Sequence, residues 1–306
     1  MNHFLNLADL KPDELLALLD LAVELKAEWQ SGGNRPVLKG KTLGLVFQKP
    51  SLRTRVSFEM AMIHLGGQAL YLSPFEIKLG ERESVPDVAR VLSRYVDGIM
   101  ARVFAHADIL TLAEYSRVPV VNGLSDYNHP CQGLADLLTI VENKGRDLKG
   151  RKLVFIGDGN NVATSLLFGA ALLGMDFTIA GPPGYEMPAD VWALGEKFAA
   201  ESGSNLLATH DPQEAVTGAD VVYTDVWASM GQEEEAQERA RIFQPYQVNE
   251  ELIAQAKPDV IAMHCLPAHR GQEITDGVCD GPHSVLWDQA ENRMHAQKAI
   301  LAKLMG

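Results

Sequence analysis

The stretch Thr42-Leu-Gly-Leu-Val-Phe-Gln-Lys-Pro-Ser-Leu-Arg-Thr-Arg55 runs from an apolar segment straight into hydroxyls and guanidiniums. Its apolar part, Thr42 to Phe47, predicts a strand, and Arg53–Leu65 predicts the helix behind it. The turn between them is a place to hold a phosphate. Unpaired backbone N–H groups at a helix N-terminus, the helix dipole, the Ser51 and Thr54 hydroxyls and the forked donors of Arg53 and Arg55 can converge on one dianion. A capped surface helix with solvated arginines would use the same residue types, so this stretch alone leaves both readings open.

Outward from it, short apolar runs alternate with helical patterns, the signature of βαβ units around mostly parallel sheets. Upstream, Pro12 opens a helix to about Trp29, with Leu15, Leu16, Leu19 and Val23 on one face. Downstream, strands are expected at Ala69–Leu72, Gly98–Val103 and Pro119–Val121, with helices starting at Ser84 and around Ile109–Tyr115. A long helix from about Gln132 to Lys144 ends at Gly145. A second series follows, with strands at Lys152–Ile156, near Ile179, at Leu206–Thr209, Val221–Thr224 and Val260–His264, and a last helix from about Gln289 to Leu304. The predicted class is α/β, two doubly wound parallel-sheet domains with helices on both faces. One domain spans residues 1–145 and takes the C-terminal helix, 289–306, back onto itself; the other spans 146–288.

With 306 residues the chain exceeds one typical domain. A formal charge of −13 with no offsetting basic block argues against a nucleic-acid partner, so an anion site must be a local basic spot in an acidic protein. Cys131, Cys265 and Cys279 are an odd number without zinc-like spacing, which points to a reducing cytoplasm and no structural metal. No apolar stretch reaches membrane-spanning length and Met1-Asn-His-Phe-Leu5 does not read as an export signal, so no membrane partner is expected. Gly157-Asp-Gly-Asn-Asn-Val162 invites a dinucleotide reading. Val162 stands at the third glycine of that pattern, and Gly181-Pro-Pro-Gly184 stands where an acidic residue should follow the second strand, so no cofactor is expected. Gln232-Glu-Glu-Glu-Ala-Gln-Glu-Arg239 reads as a solvated helix or a flexible loop.

In doubly wound sheets, ligands lie beyond the carboxyl ends of the strands. Ser51, Arg102, His129, Asn161, Asp225 and Cys265 all fall at or just after a predicted strand end, which would let two domains face one cleft, phosphate on one wall and a small amine on the other.

Ser51-x-Arg-Thr-Arg55, His129-Pro-x-Gln132 and His264-Cys-Leu-Pro267, in this order and over nearly the whole chain, resemble the aspartate and ornithine carbamoyltransferases. His264-Cys-Leu-Pro267 and Asp225-Val-Trp-Ala-Ser-Met-Gly231 are similar to the ornithine branch. The resemblance implies carbamoyl transfer from carbamoyl phosphate to the side-chain amine of L-ornithine, giving L-citrulline and phosphate by direct attack, in a homotrimer with sites at subunit interfaces. It assigns carbamoyl phosphate to the first domain, through Ser51, Leu52, Arg53, Thr54, Arg102, His129 and Gln132, with Cys265, Leu266 and Arg293 also reaching it. Of these, Arg102, His129 and Gln132 resemble the set that orients the carbonyl and stabilises its developing charge. Leu52 stands where many relatives carry threonine, which removes one hydroxyl donor. Lys78 stands where glutamine is frequent, in the loop Ser73–Ser84 that reaches a neighbouring subunit's site; Lys78 or Arg82 would then supply a cation there, or both are solvated loop charges.

Ornithine is assigned to the second domain, through Asn161, Asp225, Ser229 and Met230. A lysine-like amine of pKa about 10.4 is neutral in roughly one molecule in a few thousand at pH 7, and a carboxylate beside it favours the charged form. Asp225 is therefore expected on the α-ammonium first and in proton handling second, with Cys265 near the δ-amine; a cysteine at a strand end is also commonly just buried. Putrescine, an acylated ornithine or aspartate as acceptor, and an inactive binding paralogue, are the alternatives. For aspartate, no cation follows Asp225 before Arg239 to take a second carboxylate.

Overall fold

The computed structural model describes residues 1–228 and 235–306. It divides into two compact units, Met1–Leu138 with Glu291–Gly306, and Thr139–Ala290.

In the first unit the chain runs α1 (Pro12–Gln30), β1 (Thr42–Phe47), α2 (Leu52–His64), β2 (Gln68–Leu72), α3 (Pro74–Ile77), α4 (Val85–Leu92), β3 (Gly98–Arg102), α5 (His106–Tyr115), β4 (Val120–Leu124) and into α6 (Pro130–Lys144). The strands pair in parallel in the order β2-β1-β3-β4. β1 is buried along its length after Thr42, as a central parallel strand covered on both faces must be, whereas β2 at the edge is only partly covered. Val46, Ile99, Ala101 and Val120 meet Val88, Ala89, Ile109 and Leu112 in a core between the sheet and its helices.

The second unit continues with β5 (Lys152–Ile156), α7 (Asn161–Leu172), β6 (Asp176–Ala180), α8 (Ala189–Ser202), β7 (Leu206–Thr209), α9 (Pro212–Val216), β8 (Val221–Thr224), α10 (Ala236–Phe243), α11 (Glu250–Ile253), β9 (Ile261–His264), α12 (Asp276–Cys279) and α13 (Leu286–Met305). Its sheet is parallel in the order β7-β6-β5-β8-β9. Helix α7 is buried on all sides, which its run of Val, Ala, Leu and Phe allows.

From Glu291 onward α13 belongs to the first unit, as expected of the last helix. Lys26 Nζ donates to Asn292 Oδ1 at 2.8 Å and Lys298 Nζ to Asn34 Oδ1 at 2.7 Å. Gly98 admits this packing, because a Cβ there would lie 2.8 Å from the Met305 sulfur.

The charge run that ends at Arg239, expected to be solvated, is buried at that last residue. Arg239 is not a solvated charge: only 6% exposed, it donates through Nη1 to Asp158 Oδ2 at 2.6 Å and to the Trp227 carbonyl at 3.0 Å. Its Nε reaches Glu235 at 3.1 Å. The half-buried Asp158 and the buried Trp227 carbonyl are acceptors of the same unit, and a guanidinium satisfies both at once. Gln232, Glu233 and Glu234 of that run lie outside the described residues.

Candidate active site

In the first unit, Ser51 is the N-cap of α2, at φ −152° and ψ 116°, and its hydroxyl accepts from Thr54 N. Thr54 is fully buried. Its Oγ1 receives Arg293 Nη2 at 2.9 Å, Arg102 Nη1 at 3.4 Å and the Ser51 hydroxyl at 3.2 Å. Arg293 also donates to Gln132 Oε1, and Gln132 turns its own N–H to Asp136 Oδ1 at 2.7 Å. Arg102 is the last residue of β3, while His129 precedes α6, where its carbonyl accepts from Gln132 N and Gly133 N, each at 3.0 Å. Thus Ser51, Thr54, Arg102, Gln132 and Arg293, from a turn, a strand end and three helices, form one connected network.

His129 lies in the same positive field. Burial, then the charges of Arg293, Arg102 and Arg53, push its pKa well below the usual histidine value, so the ring is neutral at pH 7. A neutral imidazole can donate a hydrogen bond without adding a fourth cation. Cys131, two residues on, is a packing residue: its thiol donates to the Asn122 carbonyl at 3.2 Å, and burial raises its pKa to about 12.

Arg55 does not join this set. Its Nε is paired with Glu59 Oε1 at 2.9 Å, one turn along α2, and its guanidinium sits 3.9 Å from the Tyr71 ring centroid. Lys78 caps the C-terminal end of α3 in the left-handed region, at φ +45°, and is exposed. Arg82, also exposed, donates to the Glu76 carbonyl at 3.2 Å.

In the second unit, Asp225 directly follows β8 and is 7% exposed. Its Oδ1 accepts from Val226 N at 2.8 Å and from the Cys265 thiol at 2.9 Å. Its Oδ2 accepts from Asn160 Nδ2 at 2.8 Å. Asn160, which the sequence reading passed over, is the N-cap of α7: its Oδ1 accepts from Val162 N and Ala163 N, each at 3.0 Å. One amide thus starts a helix and holds a carboxylate. Asn161 is the first residue of α7, beside that cap. Ser229 and Met230 lie outside the described residues.

Donor atoms of Asp225, His264 and Cys265 fall within 4.8 Å of one another, a set able to hold a soft divalent cation. His264 is already engaged, with Nε2 3.2 Å from Glu273 Oε1 and Nδ1 accepting Leu266 N at 2.8 Å. Leu266 itself stands at φ +58°.

A dinucleotide finds no cradle after β5. Gly159, the second glycine of that turn, is small for the protein's own sake: a Cβ there would lie 2.5 Å from the Glu186 carbonyl oxygen, and its N–H donates to the Tyr185 carbonyl at 3.0 Å.

Of the two parallel α/β units, one carries guanidiniums near a neutral imidazole, suited to an anion, and the other a carboxylate bonded to a thiol, suited to a cation. The family model for the carbamoyl-P binding domain of aspartate/ornithine carbamoyltransferase matches residues 2–142, and that for the Asp/Orn binding domain matches 149–304. An ornithine carbamoyltransferase of Pyrococcus abyssi is 57% identical over 300 residues, covering 98% of this chain and 94% of that protein. The solved structure of ornithine carbamoyltransferase from Pyrococcus furiosus superposes with a TM-score of 0.97 at 56% identity, covering 100% of this chain and 97% of that one. An acetylornithine transcarbamylase complexed with acetylcitrulline has a TM-score of 0.89 at 37% identity, covering 100% of each chain. The chain belongs to the aspartate/ornithine carbamoyltransferase family.

Proposed function

We propose that the chain transfers the carbamoyl group of carbamoyl phosphate to the side-chain amine of L-ornithine, giving L-citrulline and phosphate. The observation that carries this reading is the network of buried Thr54, Gln132 and Arg293 with half-buried Arg102 beside neutral His129, a cationic site in a protein of net charge −13. In this reading residues 1–145 with 289–306 form the carbamoyl phosphate domain and residues 146–288 the ornithine domain. Ser51, Arg53 and the backbone N–H groups from Leu52 onward take the phosphate, while Thr54 aligns the guanidiniums beside it. Arg102, His129 and Gln132 face the carbonyl oxygen with Arg293, Cys265 and Leu266.

The δ-nitrogen lone pair forms the new C–N bond, and charge develops on the carbonyl oxygen, where the fixed donors stabilise it. The C–O bond then breaks with its electron pair on phosphate, which takes the proton that nitrogen gives up. No covalent enzyme intermediate is needed, since holding two reactants together is itself worth several kcal/mol. Asp225 binds the α-ammonium, Asn161, Ser229 and Met230 the rest of the amino-acid head group, and Cys265 lies by the δ-amine.

We assign the working form to a homotrimer. Leu52 is 76% exposed and Phe75 84%, apolar surface at the start of α2 and on α3 that a neighbouring subunit would cover. Exposed Lys78 and Arg82 stand beside it in sequence, and in this reading one of them serves a neighbour's site. All three cysteines carry thiols, which suits a cytoplasmic setting, and no helix among the described residues is long and apolar enough to cross a membrane.

The test is a ureido-product assay with carbamoyl phosphate and, in turn, ornithine, acetylornithine, putrescine and aspartate. Ornithine should give the highest kcat/KM; a preference for acetylornithine, the substrate suggested by the name of one structural relative, would overturn the acceptor assignment.

A further inference from the structure

Glu273 is a fully buried carboxylate, and His264 beside it has a fully buried ring. Glu273 Oε1 lies 3.2 Å from His264 Nε2 and accepts the His269 backbone N–H at 2.5 Å, while Oε2 accepts no hydrogen bond among the described residues. A neutral amide could satisfy the same two N–H groups, so a charge is more than satisfaction requires. What counts is that the oxygen at this position, of a carboxylate or of an amide, can only accept. His264 must therefore carry its proton on Nε2, which leaves Nδ1 bare to take the Leu266 N–H at 2.8 Å. The other tautomer would set two N–H groups against each other at Leu266 and two bare acceptors against each other at Glu273.

That choice bears on Cys265, which lies between the two residues so held. On one side, the His264 backbone N–H donates to Gln289 Oε1 at 2.8 Å, and Gln289 Nε2 donates to the Tyr223 hydroxyl at 3.1 Å. On the other, Leu266 sits at φ +58°, a left-handed backbone that a leucine keeps only when its surroundings hold it there. The Cys265 thiol, fixed from both sides, donates to Asp225 Oδ1 at 2.9 Å. We infer that Glu273 is a positioning residue: its carboxylate fixes the His264 tautomer, the tautomer holds the Leu266 backbone, and that backbone sets the Cys265 thiol against Asp225. The inference rests on the reading of Asp225 and Cys265 as the acceptor's end of the site.

The test uses the full-length chain with Glu273→Leu, close in volume and leaving no stranded charge, and Glu273→Gln, which keeps an acceptor oxygen. Three quantities are read: alkylation of Cys265 by iodoacetamide, followed by peptide mass spectrometry with buried Cys131 and Cys279 as internal controls; KM and kcat for each substrate; and the His264 tautomer from imidazole nitrogen-15 shifts of the wild type. Glu273→Leu should change the Cys265 alkylation rate by about tenfold or more and lower kcat/KM for ornithine by on the order of a hundredfold, with the carbamoyl phosphate KM unmoved. Glu273→Gln should restore both to within about threefold, and the wild-type His264 should be the Nε2–H tautomer. Wild-type alkylation and ornithine kinetics in Glu273→Leu would overturn the inference, as would an Nδ1–H tautomer, which decides the matter even if the leucine variant fails to fold. Absence of ornithine turnover in the wild type would instead sink the proposed function, while the alkylation rate and the tautomer still decide on positioning.

Discussion

The turn after β1 and the turn after β5 hold the same place in their sheets, since each strand flanks the point where strand order reverses, β1 beside β3 and β5 beside β8. Ligands gather at that point in doubly wound folds. In the first unit, Ser51 caps the helix and Thr54 behind it meets Arg102 from the end of β3. In the second, Asn160 caps the helix and meets Asp225 from the end of β8. The backbone device is shared and the charge is reversed, guanidinium in one case and carboxylate in the other. On the proposed assignment, one fold element used twice takes a phosphate at one turn and an ammonium at the other.

The contrast is broken most severely by removing a cation from the first turn. Arg53→Ala should lower kcat/KM by on the order of a thousandfold while the melting temperature stays put, because the proposed assignment gives the half-buried guanidinium to the phosphate rather than to the core. Full turnover in that variant would remove the phosphate assignment. Asp225→Asn, the matching change in the second turn, keeps the shape and loses the charge. Ornithine KM should rise by roughly ten- to a hundredfold with carbamoyl phosphate KM unchanged, and steady-state kinetics with each substrate varied in turn separates the two.

Acid should also reach the first unit through its histidines. His64, stacked on Trp29 with ring centroids 3.4 Å apart, has its pKa lowered to about 4, by burial and then by the charge of Lys298. His129 is lowered as well. The unfolded chain binds protons at these sites near pH 6.5, before the folded chain does. Their contribution to stability is therefore complete above pH 6.5 and is lost as pH falls from there towards 4. Urea midpoints at pH 7.5, 6 and 5 should fall accordingly, and the fall should be shallower in His64→Gln; an equal slope would refute the assignment.

Much of this was legible from the chain alone. The strands Thr42–Phe47, Lys152–Ile156, Leu206–Thr209 and Val221–Thr224 have the bounds that their apolar runs predict. Ser51, Arg102, Asp225 and Cys265 stand at or just beyond strand ends, where sequence places them whatever their contacts. Harder to read were pairings between distant positions. Arg293 is singled out only by the family resemblance and not by its own spacing, because the threonine it bonds lies 239 residues away. Arg239 looked solvated because Asp158 lies 81 residues upstream. Of two adjacent asparagines, the sequence could not say that Asn160 is the one that turns to Asp225, since either can cap a helix. Only the ψ of −173° that precedes the first turn of α7 decides which one does.

Caps give a smaller test of the same contrast. Ser51→Ala and Asn160→Ala should each cost about 1 kcal/mol in chemical denaturation, the ordinary value of a lost N-cap. Their kinetic effects should nonetheless fall on different substrates, on carbamoyl phosphate for Ser51→Ala and on ornithine for Asn160→Ala, because only Asn160 also holds Asp225. Equal effects on both substrates would mean that the caps act through stability alone.

The smallest expected effect is none at all. Val162→Gly completes the glycine pattern of a dinucleotide turn after β5, and by motif alone it should create affinity for NAD. The space is already taken: the backbone of Glu186 and Met187 lies 2.6 Å or less from where a Gly159 Cβ would be, and the Tyr185 carbonyl holds the Gly159 N–H. A pyrophosphate would have to displace this chain before it could meet the start of α7, and there the side chain of Asn160 already accepts the N–H groups of residues 162 and 163. Titration calorimetry of Val162→Gly with NAD should therefore show no heat. Micromolar binding would mean that the two turns differ by one glycine rather than by what has been built over the second.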